Sequence, residues 1–228
     1  MAQQQVCSLP QRIPVPAVTV DVISDPDAFR EYGDKWDRLV ADSGIRHPFA
    51  SHALLTTTDF PSGWTESPAT TGASSPIEKC RSEKTGKNQT AEMASGSFAN
   101  GAASVRQSVF VYRSAGDATA AMASLADELS CAVNLMNTGK AETTEASISG
   151  AVAGSVQAPL VGDRTNAYRI RFHLTVKASN AGADGYIDAV YVQAGRSVTR
   201  LVASNAFAPF AADVINEITA NAAAKLPR

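Results

Sequence analysis

The feature that most constrains the fold is a series of segments in the second half of the chain. In each segment, apolar and polar residues alternate. A period of two residues is typical of strands that bury one face. Short glycine-containing connections at 181–185 and 194–196 join the last three segments, as in an antiparallel meander. The alternating strand–helix units of a doubly wound nucleotide-binding fold are absent. The candidate strands are Glu142–Ser149, Gly154–Pro159, Ala167–Lys177, Gly185–Gln193 and Ser197–Ser204.

Helical periodicity precedes and follows these strands. Ser114 can cap a helix that starts near Asp117, and its apolar residues then recur at steps of three and four until Asn137–Gly139. Pro209 opens a final helix. Upstream, Gln89–Ser95 and Ala103–Tyr112 form a candidate hairpin, since Asn100-Gly101 favours a tight turn. We therefore predict an α+β fold, an antiparallel sheet with flanking helices in a two-layer sandwich.

The chain divides near residue 53. Residues 1–17 are polar and then proline-punctuated, which predicts an extended arm. Residues 18–53 predict a strand–helix appendage, with a strand at Thr19–Ile23 and a helix from Asp25 to about Asp42. Residues 54–228 form the main domain, with a helical turn at Leu54–Asp59 and a strand near Gly63–Glu66. The first 53 residues carry 5 basic and 7 acidic residues, whereas the remainder carries 15 of each.

Composition excludes several classes of protein. Hydrophobic residues make up 44% of the 228 residues, enough for a buried core, and the net charge is -2. A nucleic-acid-binding protein normally carries a basic excess, so we expect no nucleic-acid partner. No apolar stretch approaches the length of a transmembrane helix. The N-terminus shows neither a secretory signal nor a lipoprotein signal around Cys7.

Three cysteines leave at least one thiol unpaired. A bridge between Cys80 and Cys131 would close a loop of roughly 50 residues and contribute about 3–4 kcal/mol in the chain-entropy model. The alternative is two unrelated thiols. Cys7 lies in the predicted arm. No Cys-x-x-Cys pair or Cys/His spacing suggests zinc.

Motifs for catalysis or cofactor binding are few. The sequence contains no nucleophile elbow, no phosphate-binding loop and no dinucleotide fingerprint. His47 and His52 are five residues apart, the wrong step for a metal pair on one helical face. We therefore predict no catalytic residues, no metal and no cofactor.

Basic residues share one face of the candidate strand at 167–177. Arg169, Arg171 and His173 alternate there with apolar residues, and Arg106 and Arg200 from other strands would extend the column if the register allowed. An anion or polar-headgroup site on an open sheet face is one interpretation. The alternative is a solvated face on which the basic residues pair with acids such as Asp188.

The segment from Arg113 to Ala118 allows a second function. A strand, an Arg-x-x-Gly-x-Ala motif and a helix resemble the pyrophosphate loop of GNAT acetyltransferases, in which backbone N–H groups hold coenzyme A phosphates. Asp117 places a negative charge where phosphate would bind. A simple helix cap explains the same residues.

Val18–Leu54, with WDRLVADSGIRHPFASHALL, resembles the first strand and helix of cellulose-biosynthesis-type acetyltransferases of the GNAT superfamily. In that family the segment is only the N-terminal edge of a longer protein. The resemblance implies ancestry or a fused fragment and no activity.

Residues 54–228 resemble the PknH-like extracellular sensor domains of actinobacterial lipoproteins and receptor kinases. LLTTTDFPSGWTE, SPIEKC with Cys80, the segment VRQSVFVYRSAGDATAAMASLADELSC with Cys131, and LVASN carry the resemblance. It implies an antiparallel sheet flanked by helices, a Cys80–Cys131 disulfide, a ligand-binding cleft and no catalytic residues. The family often has a second disulfide, which this chain lacks, and its members normally follow an export signal or anchor.

These observations predict a non-enzymatic ligand-binding or sensor-type domain of the actinobacterial cell envelope. Its partner is an unknown small ligand or an envelope component. The location is extracytoplasmic by resemblance, with a cytoplasmic location still open because no export signal is recognised. Alternatives are an acetyl-CoA-dependent acyltransferase and a structural envelope protein without a ligand. The predicted ligand-binding residues are Arg106, Tyr112, Arg169, Arg171, His173, Tyr191 and Arg200.

Overall fold

A computed structural model describes residues 52–68, 75–81 and 83–227. The predicted arm, Cys7, His47 and nearly all of the predicted strand–helix appendage lie outside the described residues. The domain boundary near residue 53 therefore stays a prediction.

A seven-stranded antiparallel sheet is the centre of the described fold. Its strand order is β1-β2-β3-β7-β6-β5-β4, so β3 pairs with β7, and β4 is an edge strand. The α+β class and the antiparallel sheet with flanking helices are confirmed. The strands are β1 (Thr65–Ser67), β2 (Gln89–Asn100), β3 (Ala103–Tyr112), β4 (Ala146–Ser155), β5 (Arg164–Val176), β6 (Ala181–Ala194) and β7 (Ser197–Ala206). The helices are α1 (Pro76–Lys79), α2 (Glu83–Gly86), α3 (Ala115–Ala123), α4 (Leu125–Asn137) and α5 (Ala212–Ala224), besides a 3-10 turn at Thr57–Asp59.

Helices lie on both faces of the sheet. On one face, which we call the α4 face, α3 and α4 bury residues such as Met122 and Leu129 against the sheet. On the opposite α5 face, Ile218 of α5 and residues 53–64 pack against it. Central strands covered in this way must be apolar on both sides. Successive residues 187–194 of β6 are accordingly all buried.

The α5 face is held by aromatic stacking and by one buried amide. Phe60 stacks on Phe98 with ring centroids 4.3 Å apart. Gln107 is 1% exposed. Its Oε1 accepts a hydrogen bond from the Leu55 N–H, and its Nε2 donates to the Ala53 carbonyl and to Thr199 Oγ1. The segment before β1 is therefore fixed to the middle of the sheet by a fully paired side chain.

Two local predictions are confirmed. The Asn100-Gly101 pair lies at the turn of the predicted hairpin: β2 ends at Asn100, and Gly101 adopts φ +60 in the turn to β3, a conformation that favours glycine. The Ser114 hydroxyl accepts a hydrogen bond from the Asp117 N–H and caps α3.

The predicted long helix is interrupted, so that α3 ends and α4 begins at Ser124. The Ser124 hydroxyl donates to the Ala121 carbonyl, and it lies 3.4 Å from Thr85 Oγ1. A serine that bonds to the backbone in this way competes with helical hydrogen bonding. Apolar periodicity alone does not reveal this break.

The two strands predicted at Glu142–Ser149 and Gly154–Pro159 form a single strand, β4, which ends at Ser155. Its pairing with β5 shifts between Ser149 and Val152, and Gly150 adopts φ +61 inside this bulge. In the sequence, Gly150 suggests the end of a strand, because glycine is common both in turns and in bulges.

Within the described residues, no helix combines the length and the apolar character that crossing a membrane requires.

Candidate functional site

The seven predicted ligand-binding residues are divided between the two faces of the sheet. Arg169, Arg171 and His173 lie on the α5 face, because they alternate in β5 with Ile170 of the opposite core. The expectation that strands β3 and β7 would extend this basic column is not met. Arg106, Tyr112, Tyr191 and Arg200 occupy the α4 face, since they share it with Phe110, Ala189 and Val202.

Acidic residues of β6 pair with the basic column on β5. The Arg169 guanidinium donates two hydrogen bonds to Asp188, of 2.6 and 2.9 Å, and these bonds raise the pKa of Arg169. Asp184 lies 3.3 Å from His173 Nδ1 and 4.0 Å from Arg171 Nε. This arrangement corresponds to the alternative interpretation, a sheet face whose charges are paired across strands.

Polar side chains converge on the α4 face around Arg200. Tyr191 and Arg200 are direct partners on β6 and β7. The Arg200 guanidinium lies 5.2 Å from the ring centre of Phe110, and Glu128 approaches from α4. Arg200 is 4%, Tyr191 2% and Glu128 1% exposed. We call the five residues Phe110, Tyr112, Glu128, Tyr191 and Arg200 the Arg200 cluster.

Hydrogen bonding within the Arg200 cluster is incomplete. Arg200 Nη2 donates to Ser108 Oγ at 3.3 Å and lies 3.8 Å from Glu78 Oε1. Arg200 Nε and the Tyr191 hydroxyl are buried without a partner among the described residues. Buried donors of this kind are rare in folded proteins and need an explanation.

Burial also changes the ionisation of both tyrosines. Desolvation raises the pKa of Tyr112 to about 12, although the charge of Arg81 acts in the opposite direction. Desolvation raises the pKa of Tyr191 as well, and Arg200 and Glu128 act on its hydroxyl with opposite signs. Both phenols are therefore neutral hydrogen-bonding groups at neutral pH.

A strap formed by residues 75–81 and 83–86 covers the Arg200 cluster. The predicted bridge joins Cys80 of this strap to Cys131 of α4, with their Cα atoms 5.7 Å apart. The Tyr112 hydroxyl donates to the Thr85 carbonyl at 2.8 Å, and the Thr85 hydroxyl donates to Glu128. One covalent bond and two hydrogen bonds thus hold the strap over the cluster.

A larger opening lies on the other side of α4. This groove, which we call the α4–β4 groove, has a volume of about 420 Å³, within the range of small-ligand sites. The helix supplies residues at steps of three and four, and the edge strand supplies three small residues that leave the space open. Its lining is Ala126, Leu129, Ser130, Val133, Ala153, Gly154, Ser155 and Tyr168.

None of the seven predicted residues lines the α4–β4 groove. The prediction selected basic residues and two tyrosines of the sheet, whereas the groove is lined by aliphatic residues and hydroxyl groups. Two patterns in the sequence could have indicated it: Ala126 and Ser130 one turn apart on the helix, and the Ala-Gly-Ser end of β4. Their meaning depends on α4 packing beside β4, which is a tertiary contact.

The start of α3 carries a carboxylate where a coenzyme A phosphate would bind. Asp117 Oδ1 accepts a hydrogen bond from Asn88 Nδ2, and Oδ2 accepts one from the Ser114 hydroxyl. These bonds lower the pKa of Asp117. Because an anion already occupies the N-terminal turn, the geometry favours a helix cap over a phosphate site.

Groups of three or more histidine, cysteine or acidic side chains with the geometry of a metal site are absent from the part of the chain that the structure describes.

No protein-family model matches the chain, and no curated protein matches it. A search of solved structures found the extracellular domain of PknH from Mycobacterium tuberculosis, with 15% sequence identity and a TM-score of 0.46. The match covers 77% of this chain and 93% of that chain. At this identity the similarity is a distant one of fold alone.

Proposed function

We propose that the domain is a non-enzymatic binding module whose ligand lies in the α4–β4 groove. The groove itself is the observation that carries the proposal, since its volume of about 420 Å³ suits a small molecule. Leu129 and Val133 provide an apolar wall, and Ser130, Ser155 and Tyr168 provide hydroxyl groups that could orient a ligand. A neutral, mainly apolar molecule with one or two polar groups fits this lining.

The chemistry of the lining favours binding over catalysis. Its residues include no aspartate, glutamate, histidine, lysine, arginine or cysteine. The hydroxyl of Ser130 or Ser155 would need an adjacent base to act as a nucleophile, and the lining provides none. A groove of this composition can hold a molecule, and its polar side chains are hydroxyl groups without a paired base in the lining.

The disulfide supports an extracytoplasmic location for this function. Bridges such as Cys80–Cys131 persist in oxidising compartments and are rare in the reducing cytosol. The resemblance to PknH-like domains implies that this binding serves a sensor-type role in the cell envelope. The acetyltransferase alternative is weaker, because Asp117 occupies the turn that it needs.

A fluorescence titration with N-phenyl-1-naphthylamine, a neutral apolar dye, tests the groove. We expect saturable binding, and we expect Ala126→Trp to weaken it at least about tenfold by filling the groove. Ala120→Trp is the matched control, because Ala120 is exposed on α3 and does not line the groove. The control should bind the dye like the unchanged protein.

Two results would contradict the proposal. The absence of saturable dye binding would favour a structural protein without a small ligand. Equal binding by Ala126→Trp and Ala120→Trp would place the dye elsewhere.

A further inference from the structure

We infer that a single water molecule occupies the centre of the Arg200 cluster and joins Arg200, Tyr191 and Glu128. Two buried polar atoms have no hydrogen-bond partner among the described residues, Arg200 Nε and the Tyr191 hydroxyl. Folded proteins rarely leave such groups unpaired, because their lost hydration is not replaced. The two residues are direct partners on neighbouring strands, and their side chains lie on the same face of the sheet.

A cavity of suitable size lies between them. It measures about 10 Å³, close to the smallest space that accommodates one water molecule. Arg200, Tyr191 and Glu128 all line it, together with apolar residues of α3 and α4. A buried water molecule typically makes about three hydrogen bonds, which these three polar groups can supply.

The hydrogen-bonding capacities of the three groups favour water over an anion. Water can accept from Arg200 Nε and from the Tyr191 hydroxyl and can donate to the Glu128 carboxylate. A halide could accept the first two bonds, but unlike water it has no hydrogen to donate to the Glu128 carboxylate.

Such a water would connect three parts of the fold. Tyr191 and Arg200 belong to β6 and β7, Glu128 belongs to α4, and Glu128 also accepts a hydrogen bond from Thr85 of the strap. Glu128 is adjacent to Leu129, which lines the α4–β4 groove. The water site is independent of ligand binding in that groove, and it helps to fix the helix that forms the wall.

A crystal structure of the protein grown in sodium bromide tests the inference directly. We expect a density peak within about 3.2 Å of both Arg200 Nε and Tyr191 Oη, without an anomalous signal. An anomalous peak at this position would overturn the inference in favour of an anion site. An empty cavity, or one filled by a protein side chain, would also overturn it.

Solution NMR provides the second measurement. In the unchanged protein, a long-lived water should give a cross-relaxation peak with the Tyr191 hydroxyl proton. In Tyr191→Phe, the water peaks at the Arg200 Nε proton should disappear or shift. The matched control is Tyr186→Phe, which removes a hydroxyl from the opposite face of β6 and should leave them unchanged. If the protein with Tyr191 intact shows no water peak at either proton, the inference fails.

Discussion

Arg169 and Arg200 lie two strands apart in one sheet and behave in opposite ways. The Arg169 side chain is 29% exposed and forms two direct hydrogen bonds with Asp188. The Arg200 side chain is 5% exposed, yet the Glu78 carboxylate lies 3.8 Å from it and its Nε has no partner within the described chain. The arginine with more access to water is the better paired of the two.

The same contrast holds between two buried side chains, Gln107 and Tyr191, which lie on opposite faces. On the α5 face, the buried amide of Gln107 has all three of its contacts to protein groups within 3.0 Å. On the α4 face, the hydroxyl of the equally buried Tyr191 has none among the residues described. A fully paired polar group fixes the fold, whereas an incompletely paired one needs a partner, which we infer to be a water molecule for Tyr191.

The largest expected difference between the faces comes from the disulfide, which the α4 face carries. Replacing Cys80 and Cys131 together by serine should lower the free energy of unfolding by about 4 kcal/mol, because the open loop regains conformational freedom in the unfolded chain. Urea unfolding followed by tryptophan fluorescence measures this loss. Cys7→Ser is the control and should leave the stability unchanged. A loss below about 1 kcal/mol in the double variant would show that the bridge contributes little.

The next effect separates the two arginines. Arg169→Met should cost about 3 kcal/mol, because it leaves the Asp188 carboxylate, 2% exposed, without its partner. Arg200→Met should cost less, about 1–2 kcal/mol, because the hydrogen bonds that it removes, to Ser108 and to the inferred water, are weaker than a direct ion pair. Thermal and urea unfolding of the two variants give the comparison. The reverse order of stability would refute the contrast drawn between these residues.

The smallest effect concerns Tyr112. Tyr112→Phe should cost about 1 kcal/mol, because it removes the hydrogen bond to the Thr85 carbonyl. The pKa of Tyr112 is raised from 10.0 to about 12, so folding favours the neutral phenol. Its contribution to stability is therefore complete below pH 10 and falls as the pH rises from 10 towards 12.

Unfolding at a series of alkaline pH values checks this sign. The stability of the unchanged protein should fall more steeply above pH 10 than that of Tyr112→Phe. Parallel pH profiles for the two proteins would show that Tyr112 does not ionise differently in the folded and unfolded states.

Much of the fold could be predicted because its signals are local. Alternation in β3 correctly separates Val105, Gln107 and Val109 from Ser108 and Phe110. The Asn100-Gly101 turn and the Ser114 cap follow from the conformational preferences of single residues. The break at Ser124 and the bulge at Gly150 were not predicted, because each depends on how a distant segment packs against it.

The candidate site was less accessible to sequence reasoning. Tyr112, Tyr191 and Arg200 were selected together and do line one cavity, but Arg169, Arg171 and His173 were assigned to the same site and lie on the other face. Glu128 was missed because an acid within an apolar helical stripe has no local signature that separates a buried carboxylate from an exposed one.

The sequence by itself determined which residues share a face within each regular stretch of strand, because side chains alternate there whatever the neighbouring strands are. Tertiary structure decided which faces of different strands coincide. Arg200 lies beside Tyr191, and Arg169 beside Asp188, only because of the register between β5, β6 and β7. The register between strands is fixed by burying the apolar side chains of both sheet faces against helices on opposite sides. This constraint exists only when the whole sheet has formed.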